Sequence, residues 1–199
     1  MLNEPSSFNI QRTTFNKGFL MNITIFGGAR PQPASPAYED AYRLGKMLAE
    51  RGHSVLTGGY GGTMQAASRG ASEAGGHVVG VTCAEIEAWR PGGANAWVKE
   101  VRCAPTLMAR LEDLTKSCDA AIALPGGPGT LTEISLMWNL MIVESIHRRP
   151  LVLVGDGWNA IFHQVFETTD SYTSESAKEL LLFAEDVEAA VALLESNVS

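Results

Sequence analysis

Ala120-Ala121-Ile122-Ala123-Leu124-Pro125-Gly126-Gly127-Pro128-Gly129-Thr130-Leu131-Thr132-Glu133 is the stretch whose reading decides the fold. The apolar run from Ala120 to Leu124 reads as a strand buried on both faces. Leu131 to Val143 reads as a helix. A glycine-rich turn between such a strand and such a helix leaves backbone N–H groups unpaired at the positive end of the helix dipole. Anions bind there, phosphate above all. Gly126, Gly127, Gly129 and Thr130 are the candidate phosphate cradle. Glu133 lies about one turn into the helix, within reach of a sugar whose phosphate rests on that cradle. A carboxylate beside a phosphate repels it unless the carboxylate has chemical work to do. The motif therefore points to a nucleotide site with a reactive acid.

Outward from this motif the chain alternates short apolar strands with helices. Ile23 to Phe26 reads as a first strand running into Gly27-Gly28-Ala29-Arg30, and Pro31, Pro33 and Pro36 mark a loop. A helix over 37–51 follows, stopped by Gly52. His53 to Thr57 is a second strand, entering Gly58-Gly59-Tyr60-Gly61-Gly62. A helix of small residues spans Thr63 to Ala74, and His77 to Val81 is a third strand. Glu85 to Trp97 reads as irregular and as a candidate substrate-facing loop. A short strand over 98–103, a helix over 106–117 and the motif strand come next. Leu151 to Val154 is a further strand, with helices over 158–168 and 184–196 closing the chain around a last short strand at 180–183. This alternation predicts an α/β fold, a Rossmann-like doubly wound parallel sheet. Ligands of such sheets sit beyond the carboxyl ends of the strands. All three glycine loops fall there, so they can converge on one crevice. Residues 1–20 read as an N-terminal extension and residues 21–199 as the nucleotide-binding domain.

Composition agrees with one domain: 199 residues, of which 45% are hydrophobic, can enclose a sizeable core. No apolar run approaches the ~20 residues of a membrane span. The opening residues lack the basic start and apolar centre of a secretory signal, so a cytoplasmic location is expected. The net charge is −7 and no basic run occurs, which argues against nucleic acid as a partner. Cys83, Cys103 and Cys118 show no disulfide or zinc spacing, and the four histidines share no ligand pattern. No metal and no cofactor are expected. The lysine and hydroxyl that follow the glycines of a P-loop are missing, as is the Gly-x-Ser-x-Gly elbow of a serine hydrolase.

The surviving candidates are Arg30, Arg110, Thr130 and Glu133, with Gly28, Gly58 and Gly59 of the other glycine loops. Arg110 lies on the helix before the motif strand, where its guanidinium could grip phosphate or donate to a purine. A surface ion pair with Glu112 or Asp113 is the alternative for it. For Glu133 the alternative is an acid favoured by the helix dipole.

The pattern Pro125-Gly126-Gly127-x-Gly129-Thr130-x-x-Glu133 resembles the signature of the LONELY GUY (LOG) family, cytokinin-activating nucleoside 5′-monophosphate phosphoribohydrolases once labelled possible lysine decarboxylases. Gly27-Gly28, Gly58-Gly59, Met64, Gly75-Gly76, Val79-Gly80-Val81 and Asp119 match as well, and the likeness runs from Met21 to about Phe166. What the resemblance implies is hydrolysis of an AMP-like nucleotide to free base and ribose 5-phosphate. Arg110 and Glu133 would be the catalytic pair, and Gly126, Gly127, Gly129 and Thr130 would hold the phosphate. A decarboxylase is not expected, because no lysine adjoins a glycine loop to carry pyridoxal. The likeness departs at Leu111, where the family usually has lysine. The loop from Gly58 to Met64 is also one residue shorter than in the plant-type enzymes. Both features suit the alternative, a carrier that binds a nucleotide or phosphorylated cofactor without turning it over. The helix after the motif is apolar nearly all round, so a homodimer is expected to cover it.

Overall fold

Seven short apolar runs become seven parallel strands of one sheet. The computed structural model describes residues 20–197. Its strands are β1 (Asn22–Phe26), β2 (Ser54–Thr57), β3 (Val78–Cys83), β4 (Glu100–Ala104), β5 (Ala120–Ala123), β6 (Leu151–Val154) and β7 (Leu182–Ala184), in the spatial order β4-β3-β2-β1-β5-β6-β7. Every neighbouring pair is parallel. From β1 the chain winds outward to β4 and then returns to place β5 on the other side of β1. The reversal between β1 and β5 opens a crevice at their carboxyl ends, the position where such sheets bind ligands.

Helices cover both faces. α1 (Pro36–Glu50), α2 (Thr63–Glu73) and the last helix, α8 (Val187–Ser196), close one core with Ile23, Ile25, Val55 and Ile122. On the other face Phe26, Leu56, Val81 and Leu153 pack with Leu114 of α4 (Leu107–Lys116), Ile134 and Met137 of α5 (Pro128–Ile142), and Trp158 and Phe162 of α6 (Asp156–Thr168). The small residues of α2 bring it against α1: a side chain at Gly45 would strike the Ala67 carbonyl, and one at Gly70 the Tyr42 carbonyl. That contact holds the start of α2, and the glycine loop before it, close over the sheet.

The structure corrects the reading at three places. α5 begins at Pro128, not Leu131, because proline at the first helical position is pre-set in φ and gives up an N–H that would be unpaired anyway. Residues Ala84–Trp89 form a short helix, α3, inside the segment read as irregular; none of its residues is buried, so no apolar period marks it. A further short helix, α7 (Glu175–Lys178), is capped by Ser174, whose hydroxyl accepts from the Ala177 N–H. The expected extension over 1–20 lies, apart from Leu20, outside the described residues.

Candidate active site

Arg110 is drawn inward by its own helix. Thr106 caps α4, and the buried stripe of that helix is Arg110, Leu111, Leu114 and Thr115. A guanidinium on such a stripe must find acceptors or lose its hydration without return. It finds them where β2 ends: at Gly58, just past that strand, and at Val81 of β3, one residue beyond the last pairing with β2. Nε donates to the Val81 carbonyl at 2.8 Å and Nη2 to the Gly58 carbonyl at 3.3 Å. The ring of Tyr60 lies beneath, its centroid 5.6 Å from the guanidinium carbon. Tyr60 is pinned in turn, its hydroxyl accepting from the Cys83 N–H at 2.8 Å. The ion pair with Glu112 or Asp113 does not form. Nη1 points instead to Glu133, 3.6 Å from Oε1.

Glu133 sits on α5, one turn beyond Thr130 on the same face, and both are buried. Burial pushes its carboxyl up to about 7, against the opposing pull of Arg110. Desolvation therefore outweighs the nearby cation here, and the group changes charge near neutral pH.

The motif turn stands open beside this pair. A Cβ on Gly126 would collide with the Thr130 side chain, whereas at Gly127 and Gly129 it would meet nothing within 4 Å. Neither Gly127 nor Gly129 has positive φ. The fold itself thus makes no demand for glycine at these two positions. With α5 starting at Pro128, Gly129 and Thr130 belong to its first turn, where N–H groups lack intrahelical acceptors.

The other glycine loops meet this one. Gly28 N–H donates to the Pro125 carbonyl at 3.3 Å, and the Gly28 carbonyl accepts from the N–H and hydroxyl of Thr63 at 2.9 and 3.1 Å. Gly58 is glycine because a side chain there would displace the Arg110 Nη2 and crowd the Met64 sulfur at 2.6 Å. Gly59 takes positive φ, and its carbonyl accepts from both the backbone N–H and the side-chain amide of Asn95, at 2.7 and 3.0 Å. Arg30 is the candidate that the structure leaves apart. It is exposed, and its backbone carbonyl accepts from the Gln32 amide.

Tyr60 and Asn95 escaped the sequence reading. An aromatic between glycines, in Gly59-Tyr60-Gly61, was the available signal for the first. Asn95 falls within the segment over 85–97 read as substrate-facing, but nothing singled it out, since its partners, Gly59 and Tyr60, lie 36 and 35 residues away. Among the described residues no cluster of side chains could hold a metal ion, and no helix is long and apolar enough to cross a membrane.

Several known proteins resemble this chain. Residues 20–181 match the model of a family described as the SLOG cluster4 family. An uncharacterized protein of Archaeoglobus fulgidus is 34% identical over 118 residues, covering 59% of this chain and 73% of that protein. The cytokinin riboside 5′-monophosphate phosphoribohydrolase LOG of Oryza sativa subsp. japonica is 32% identical over 179 residues, covering 86% of this chain and 71% of the rice protein. Among solved structures, the molybdenum cofactor carrier protein of Chlamydomonas reinhardtii superposes with a TM-score of 0.68 at 27% identity, over 90% of this chain and 99% of that one.

Proposed function

We propose, for a chain that belongs to the SLOG cluster4 family and is a relative of the LOG phosphoribohydrolases, that it hydrolyses the N-glycosidic bond of a purine nucleoside 5′-monophosphate. The observation that carries this is the buried Arg110–Glu133 contact beside the open glycine turn. The 5′-phosphate rests on the N–H groups of Gly127, Gly129 and Thr130, at the positive end of α5. Ionised Glu133 then faces the ribose, holds its hydroxyls and orients a water molecule. As the bond from C1′ to the base nitrogen breaks, positive charge grows on the sugar and the carboxylate offsets it, as in glycoside hydrolysis. The electron pair leaves with the base. Arg110, fixed by two carbonyls, presents N–H donors to that developing charge. Water forms the new bond to C1′ and gives up a proton to Glu133, while the released base nitrogen takes a proton from solvent. The products are free base and ribose 5-phosphate.

Incubation of the purified chain with AMP, IMP, GMP and N6-substituted AMP, assayed for free base, tests the reading. Binding without base release overturns it. A carrier is the second reading, and Leu111 favours it. Where the family usually has lysine, this chain has a leucine buried at 5% exposure, which supplies no charge to the crevice. The carrier protein of Chlamydomonas reinhardtii supports the same reading.

The proposal includes a homodimer. Leu107 and Met108 of α4 and Leu131 and Ile142 of α5 are exposed on the same side of the sheet, a surface suited to a second copy.

A further inference from the structure

Over the ends of β2 and β3 lies a cavity of about 240 Å³, bounded by Tyr60, Gln65, Arg90, Gly92, Gly93 and Asn95. Tyr60 is the wall it shares with the Arg110–Glu133 pair. Asn95 is committed to holding that wall in shape: its amide donates to the carbonyls of Gly59 and Tyr60, at 3.0 and 3.1 Å. The side chains left to read a ligand are Arg90 and Gln65. Neither is engaged by another side chain among the described residues.

The position suits the far end of a nucleotide. The phosphate turn continues β5, and β2 is two places along the sheet, about 10 Å away at the usual strand spacing. An extended nucleoside monophosphate reaches about that distance from phosphate to the six-membered ring of its purine. The base would then pass over Tyr60, with its sugar-linked nitrogen near Arg110 and its opposite edge at Arg90.

What Arg90 can recognise is restricted by its chemistry. A guanidinium has donors only. A purine with oxygen at C6 offers two acceptors, O6 and N7, which a guanidinium meets with two parallel bonds. Adenine replaces O6 with an amino donor, so one of those bonds is lost and two donors face each other. Gln65 carries both a donor and an acceptor and can serve either base. Discrimination therefore falls to Arg90.

We propose that this cavity takes the base and that Arg90 selects a 6-oxopurine, making GMP or IMP, not AMP, the preferred ligand class. The placement of the phosphate rests on the function proposed above.

Calorimetric titration of the full chain with GMP, IMP, AMP and ribose 5-phosphate tests this, run alongside R90A and R90K and an assay for free base. GMP and IMP should bind on the order of tenfold or more tighter than AMP. In R90A, and also in R90K, which cannot form the paired bonds, that ratio should fall toward one. Ribose 5-phosphate, having no base, should bind both variants as it binds the native chain. AMP binding as tightly as GMP, or a ratio that survives R90A, overturns the inference. So does loss of ribose 5-phosphate binding in R90A, which would put the phosphate at Arg90. The two readings fail separately. Selective GMP binding without base release leaves the inference standing and ends the hydrolase. Preferred hydrolysis of AMP does the reverse, and absence of binding by all three nucleotides ends both.

Discussion

Arg110 Nη1 stands 3.6 Å from Glu133 Oε1, inside ion-pair range but longer than the ~2.8 Å of a charge-assisted hydrogen bond. The other arms of the guanidinium are tied to the carbonyls of Val81 and Gly58, so it cannot swing closer without breaking those bonds. Glu133 is thus held near a fixed cation but not captured by it. The gap leaves a carboxylate oxygen able to take a ligand hydroxyl or a water molecule.

Glu133→Gln removes the charge and keeps the shape. Under the hydrolase reading, release of base should fall by about two orders of magnitude or more, the usual contribution of a positioned acid–base group. Nucleotide affinity should hold or improve, because a negative group beside the phosphate is gone. Kinetics of base release together with a binding titration checks both. Turnover that survives in E133Q removes Glu133 from the mechanism.

Glu133 also predicts two pH dependences. If the ionised carboxylate is the working form, activity should rise with pH around a midpoint near 7, the value to which burial pushes the group. For stability the sign is opposite. The folded pKa, about 7, lies above the ordinary 4.5, so the favourable contribution is full below about 4.5 and is lost as pH rises through about 7. Its size is at most about 3.5 kcal/mol. Thermal melts of native chain and E133Q should therefore agree near pH 5 and separate at pH 8, with E133Q melting higher. A constant difference across that range refutes the shift.

The same pair marks how far the sequence could be read. Strands buried on both faces carry continuous apolar runs, so β1, β5 and β6 were legible, as were the glycine turns after them. The motif turn and Glu133 are local in sequence and announced themselves. Arg110 was legible as a candidate, but its geometry was not. Its two acceptors lie 29 and 52 residues away, and nothing local says that their carbonyls would be free. Tyr60 left only the cue of an aromatic between glycines, and Asn95, which acts on backbone carbonyls 35 and 36 residues away, left no local pattern of its own. The start of α5 was misplaced by three residues because proline and glycine suggest a loop until proline at the first helical position is weighed.

Gly58→Ala tests whether Arg110 must be held where it is. The added methyl meets the Arg110 guanidinium and the Met64 sulfur, both ends of long side chains, so the backbone need not move. The fold should survive with a modest loss of stability while base release drops at least tenfold, as expected when a reacting group is misplaced by about 1 Å. Circular dichroism and the base-release assay together check it. Native activity in a folded G58A would show that the position of Arg110 does not matter.

The last prediction concerns the surface next to this site. Met108 is 67% exposed, Val143 60%, Leu107 43% and Ile142 41%, all on or at the end of α4 and α5. Those helices pack against each other on one side of the sheet, with Leu107 and Met108 at the start of α4 and Ile142 and Val143 at the end of α5. Large apolar side chains left exposed along one helical layer suit association with a second copy. α5 also begins at the phosphate turn, and exposed Leu131 stands two residues before Glu133, so a second copy docked here would border the crevice. Light scattering of the purified chain should give twice the 21.3 kDa of one copy. The double substitution M108E and I142E places two charges on exposed positions, leaving the core untouched, and should give a folded monomer. A monomer mass for the native chain, or a dimer that persists in the double variant, rejects this surface as the interface.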